Sequence, residues 1–205
     1  MADFMDFLTK YIFLVAAVAL HVIIIENTIF TCALGTSTAL FIIRKKRGVL
    51  VFGAILTFMT LFSSFIVIII NALFPYLSDY NIYSPFIFVF IISVAYLLVL
   101  LGLRFVPQKI KSRIIPMVHM SAFNCAVLGA LLIGATRDMN PVEFIGLGLG
   151  MGIGFTLATF LISVSHDYLY SENIPKAFRG YPVTLVYIGI LSLAFYGFIA
   201  SELQF

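Results

Sequence analysis

Charge is scarce in this 205-residue chain: 10% of its residues are charged and 62% are hydrophobic, against about 25% and roughly 45–50% in an ordinary soluble domain. That shortage excludes a soluble globular enzyme, because too little polar surface exists to cover so much apolar chain. A single membrane domain over residues 1–205 is expected, with the bilayer supplying the apolar solvent. Basic residues are also few. The twelve Lys and Arg, for a formal charge of +3, are grouped at a few places, which excludes the basic face of a nucleic-acid binder. Cysteine is limited to Cys32 and Cys125, both inside apolar runs, which argues against a disulfide framework. A basic leader is missing: Met1 to Lys10 carries Asp3 and Asp6 ahead of its apolar run, so the first helix is expected to stay in the mature protein. There is no nucleophile elbow, no Cys-x-x-Cys and no zinc-protease motif, so no catalytic residues assemble from this chain alone. His21, His119 and His166 lack metal-ligand spacing, and His119 reads as a satisfied core histidine.

What is present is apolar sequence in lengths that fit a membrane. A helix needs about 20 mostly apolar residues to cross the hydrocarbon. That rule places spans near 11–43, 49–73, 85–106, 114–136, 142–165 and 181–201. The first unit is too long for one straight crossing and holds Glu26, Asn27 and Gly35 at mid-depth, so an interruption is expected there. Cytoplasmic loops collect Lys and Arg. Arg44, Lys45, Lys46 and Arg47, and then Arg104, Lys109, Lys111 and Arg113, mark two cytoplasmic connections. The loop around Ser78, Asp79 and Tyr80 has no basic residue, and the next outward loop offsets Arg137 with Asp138 and Glu143. Both termini then lie outside, and the connection from His166 to Gly180, with Lys176 and Arg179, lies inside.

A short internal echo refines the picture. Cys32-Ala33-Leu34-Gly35 resembles Cys125-Ala126-Val127-Leu128-Gly129 three spans later, with Asn27 and Asn124 ahead of them. A repeat with an odd number of spans inserts upside down relative to its copy, and in transport proteins of this plan the working site lies where broken helices meet at the midplane. The expected fold is all-α: six transmembrane helices in two inverted three-helix repeats, about 11–106 and 114–201, with broken helices at the midplane.

Several residues in this plan could carry chemistry. Glu26 inside an apolar unit is costly unless paired, protonated or wetted, and so is an ion-coupling candidate; the alternative is a helix end with Glu26 at an interface. Asn27 and Asn124 suit the backbone groups freed at helix breaks, either as structural glue or as ion ligands. Gly146, Gly148, Gly150, Gly152 and Gly154 strip two faces of the fifth span for close helix packing. Cys32 and Cys125 are half of the four thiolates that an iron–sulfur cluster normally takes, or else two buried thiols packing as small hydrophobes.

Four motifs in the second half carry a resemblance. Phe123-Asn124-Cys125-Ala126-Val127-Leu128-Gly129, Gly148-Leu149-Gly150 with Gly154-Phe155, Ile174-Pro175-Lys176-Ala177-Phe178-Arg179-Gly180, and Leu191 to Phe198 resemble, in order and spacing, the small membrane subunits of the Rnf and Nqr complexes. The nearest likeness is to the A-type subunit of Rnf and the E-type subunit of Nqr. Ile25-Glu26-Asn27, Leu34-Gly35 and Arg44-Lys45-Lys46 fit the same pattern in the first half.

The resemblance implies a subunit of an ion-translocating oxidoreductase in the cell inner (cytoplasmic) membrane. Such complexes pass electrons from ferredoxin to NAD, or from NADH to quinone, coupled to Na+ or H+ transport. It implies a homologous partner of opposite topology, of the Rnf E or Nqr D type, with each chain giving two cysteines to a shared 2Fe-2S cluster. No covalent flavin is expected on this chain, which lacks the Ser-Gly-Ala-Thr signature. Cys125 stands where the family's second-half cysteine stands, but an ungapped alignment puts the first-half cysteine on Ser37, five residues beyond Cys32. Five residues along a helix are about 7.5 Å and roughly 140°. Cys32 is the expected second ligand, with Ser37 as its alternative. The competing readings are an inverted-repeat secondary transporter or ion carrier without a redox centre, and a membrane scaffold.

Overall fold

The computed structural model describes residues 2–43, 46–74, 83–172 and 174–202. The described residues are helical with no strand: α1 (Ala2–Ile24), α2 (Thr36–Ile42), α3 (Lys46–Leu73), α4 (Ser84–Gly102) with a 3-10 turn at Leu103–Phe105, α5 (Gln108–Ala122), α6 (Cys125–Thr136), α7 (Pro141–Leu169) and α8 (Tyr181–Glu202). Three stretches are long and apolar enough to cross a bilayer: Gly48–Leu73, Ser84–Phe105 and Pro141–Leu169. The pair α5 and α6, bent by 44° at its break, passes as a fourth, while Thr9–Ile24 and Tyr181–Gly197 are shorter apolar helices. The apolar exterior suits that solvent: Phe13, Phe86, Phe90 and Leu193 all point outward.

The expected first unit is interrupted as its polar residues required. Ile25 and Glu26 both donate backbone N–H to the His21 carbonyl, ending α1, and regular helix resumes only at Thr36. The fourth expected span also breaks, at Phe123 and Asn124, and its helix begins at Gln108, ahead of the apolar run. Arg104, Lys109 and Arg113 are exposed on that lead-in. Arg44, Lys45 and the Ser78–Tyr80 loop lie outside the described residues, as do the side chains of Lys46 and Arg47.

α7 is the hub. Its alternating glycines divide between two neighbours: Gly146 and Gly150 meet Val15, Val18, Ala19 and Val22 of α1, whereas Gly148 and Gly152 meet Ser64 and Thr57 of α3. The order of these contacts makes α1 parallel to α7 and α3 antiparallel to it. Polar side chains reinforce the α3–α7 seam, since the Thr60 hydroxyl donates to the Gly148 carbonyl at 2.8 Å. Phe52 of α3 and Phe155 of α7 then meet in the core with ring centroids 5.9 Å apart. α5 also packs on α3, less extensively than α1 packs on α7. At the head of α7, Pro141 occupies the first turn and Glu143 accepts the Asn140 backbone N–H at 3.0 Å, so this acidic residue caps a helix.

Candidate functional site

The two breaks meet each other against α7, and an asparagine shapes each. Asn27 is fully buried. Its amide donates to the carbonyls of Ile23 at 3.0 Å and Gly154 at 3.1 Å, and its oxygen accepts from Ile29 at 3.1 Å and Phe30 at 3.3 Å. One side chain thus closes α1, starts the following turn and ties both to α7. Thr28 adds a second tie, donating to the Met151 carbonyl at 2.8 Å. Asn124 plays the capping half of that role: its oxygen accepts from Ala126 N–H at 3.0 Å to start α6. Its buried Nδ2 has no hydrogen-bond partner among the described residues.

Gly35 closes the first break and touches the second. Its φ of 74° suits glycine, and any Cβ there would collide with the Asn124 amide and the Phe155 ring. Leu34, just before it, packs where Gly129 of α6 has no side chain. The Gly35 N–H donates to Cys125 Sγ at 2.9 Å, joining residues 90 apart in sequence. Cys125 itself is exposed at the first position of α6, and it opens on a cleft of about 220 Å³ walled by Val89 and Ile92 of α4 together with Phe123 and Leu128.

The other end of the first break carries charge. Arg137, capping the C-terminus of α6, grips Glu26 with both guanidinium nitrogens, Nη1 to Oε2 at 2.8 Å and Nη2 to Oε1 at 2.7 Å. His21 Nε2 stands 3.7 Å from Oε1. The hydrogen bonds it donates to Glu26 raise the already high pKa of Arg137, keeping it charged. Cys32 belongs to this end, its thiol 3.8 Å from the Glu26 carbonyl.

Glu26, Asn27, Cys32, Asn124 and Cys125 therefore gather around one pair of breaks, but as two groups: Cys125 with Gly35 and Asn124, Cys32 with Glu26 and Arg137. Both thiols are free. Ser37 is exposed on α2 and faces a different hollow, with Phe41, Tyr170 and Tyr181. Arg137 is the residue that sequence reasoning missed as a site member, having counted it as a loop charge; its place directly after an apolar run was the available signal. His119 is satisfied, its Nδ1 2.6 Å from the Tyr96 hydroxyl, but it is exposed and so is not a core residue.

A protein-family profile described as "Rnf-Nqr subunit, membrane protein" matches residues 15–201. The chain is 26% identical over 194 residues to the A-type subunit of the Na(+)-translocating ferredoxin:NAD(+) oxidoreductase complex of Acetobacterium woodii, covering 91% of this chain and 97% of that one. It is 26% identical over 184 residues to the A-type subunit of an ion-translocating oxidoreductase complex of Syntrophotalea carbinolica, covering 86% and 91%. Over a shorter stretch of 75 residues, 37% of this chain and 39% of the relative, identity to the corresponding protein of Glaesserella parasuis rises to 37%.

Proposed function

Because the chain belongs to the Rnf-Nqr subunit family of membrane proteins, we propose that it is the A-type membrane subunit of an Rnf-like, or E-type subunit of an Nqr-like, ion-translocating oxidoreductase. It acts only within that complex, beside a homologous subunit of opposite topology of the Rnf E or Nqr D type. The near full-length likeness to the A-type subunits of two such complexes supports this reading. Six crossings in two inverted halves are part of it, with both termini outside the inner membrane. The matched pair of asparagine-capped breaks, and the packing of α1 on α7 and of α5 on α3, support that architecture.

The site's donor set fits one ligand position of a 2Fe-2S cluster shared with the partner subunit. The observation that carries this assignment is Cys125: a thiol exposed at the head of α6, with the Gly35 N–H donating to its sulfur. Such a bond stabilises a thiolate and adjusts a cluster's potential. When bound, the cluster supplies one-electron carriage within the membrane. Cys32 is the proposed second ligand, and in this structure its thiol faces the Glu26 carbonyl. Ser37 is the alternative. Glu26, with Asn27 and Asn124 fixing the breaks around it, is the proposed point of ion coupling. The ion is Na+ or H+, and the name of the Acetobacterium relative favours Na+.

Replacing Cys125, Cys32 and Ser37 singly by Ala, and measuring iron and the reduced-cluster paramagnetic signal of the assembled complex, tests the assignment. Loss with Cys125 and Cys32 but not Ser37 is expected. Loss with Ser37 in place of Cys32 moves the second ligand, and retention with Cys125→Ala contradicts the cluster and leaves an ion carrier without a redox centre.

A further inference from the structure

Glu26 and Arg137 are unequal partners. The Glu26 side chain is 19% exposed and sits on the break, whereas Arg137 is 46% exposed on the short connection between α6 and α7. The next residue, Asp138, has a φ of 49°, so Arg137 leads into a turn and not a continuing helix. The arginine, the more exposed of the two, is the partner able to move into solvent, while the carboxylate stays on the break. A guanidinium does not lose its proton in a protein, so it leaves the carboxylate only by physical displacement. Departure of Arg137 leaves a partly buried carboxylate with only His21 beside it, at 3.7 Å, among the described residues, which favours arrival of another positive charge in its place. The break carries hard oxygens in the same segment: the Glu26 carbonyl, which among the described residues meets the weak Cys32 thiol, and the Ile25 carbonyl, which accepts from the Thr31 hydroxyl at 3.0 Å. Oxygen ligands of this kind suit an alkali cation and not a soft metal.

We propose that Arg137 is a tethered competitor for the transported cation: its guanidinium occupies the Glu26 carboxylate in the resting site, Na+ displaces it on binding, and its return expels Na+. This rests on the reading of Glu26 as the ion-coupling residue and adds a release device to it. The exchange conserves charge at the site, one cation replacing another, and forms no covalent bond. A ligand's apparent affinity falls by the fraction of sites free to accept it. If Glu26 is unpaired about one-tenth of the time, removing the competitor tightens apparent Na+ affinity about tenfold.

The test uses the whole complex in phospholipid vesicles, with electron transfer and Na+ uptake titrated against NaCl while choline chloride holds ionic strength. Arg137→Gln is expected to lower the half-saturating Na+ concentration about tenfold and to slow maximal uptake, because release is no longer assisted. A bracing salt bridge would give the opposite, unchanged or weaker Na+ affinity, and that result overturns the proposal. Glu26→Gln is expected to abolish saturable Na+ dependence; if it retains the wild-type response, the underlying assignment of Glu26 fails, whereas a wild-type complex with no Na+ dependence overturns the exchange of Arg137 for Na+ and leaves that assignment standing with H+ as the ion. Should Arg137→Gln not assemble, Arg137→Lys keeps the charge but loses the two-pronged grip. It is expected to lower half-saturation by a smaller factor, and no change overturns the proposal.

Discussion

Asn27 uses both amide protons and its oxygen on the chain's own backbone, at Ile23, Gly154, Ile29 and Phe30. That saturation favours the structural role of the two open to it in sequence, since its oxygen already accepts from two backbone N–H groups. Asn27→Ala leaves several buried backbone groups short of a partner, and each such loss costs about 1–3 kcal/mol. The variant is expected to assemble poorly and to unfold at clearly lower temperature in detergent, with an unchanged half-saturating Na+ concentration in whatever complex survives. An intact thermal transition with altered Na+ response would make Asn27 an ion ligand instead. The presence of polar residues at the first break was legible because Glu26, Asn27 and Gly35 interrupt an apolar run. Their partners were not, because Glu26 and Arg137 are 111 residues apart and no local pattern links them. The same holds for Gly35 and Cys125: the motif around Cys125 marks its type, but only the folded break brings a backbone N–H to its sulfur.

At the scale of elements, the glycine ladder of α7 was readable in full. Small residues at alternate positions predict two stripped faces, and α1 and α3 occupy them. The ladder is not uniform, and its differences can be measured. A methyl at Gly152 would come within 2.5 Å of the Thr57 Cα, which is backbone and has no rotamer to escape into, whereas one at Gly154 would meet nothing closer than 3.5 Å. Overpacking of this sort costs about 1–3 kcal/mol, occasionally more. Gly152→Ala is therefore expected to lower the yield and thermal stability of the complex, while Gly154→Ala leaves both near wild type. Equal tolerance at the two positions would contradict the α3–α7 contact. The second break was less legible than the first. Phe123 and Asn124 sit in a run of ordinary helical length with no glycine or proline from Met117 to Leu128, and only the capping ability of Asn124 hints at a new helix start.

For the whole molecule, hydropathy carries the helical membrane character because no water exists in the bilayer to satisfy an irregular backbone. Charge carries only an expectation of orientation, as two of the loops it depends on fall outside the described residues. What hydropathy cannot convey is how the halves join. The contacts that bring the breaks together are single hydrogen bonds and packed glycines, each specified by a residue far away in sequence. In the proposed function this chain couples electron transfer to ion translocation in the membrane part of the complex. That coupling is tested most directly by preparing membrane vesicles from cells with and without the chain, and measuring donor-driven electron transfer together with cation uptake in the same preparation. Both activities are expected to disappear together without the chain and to return together when it is restored. Coupled electron transfer and cation uptake at wild-type rates in its absence would contradict it.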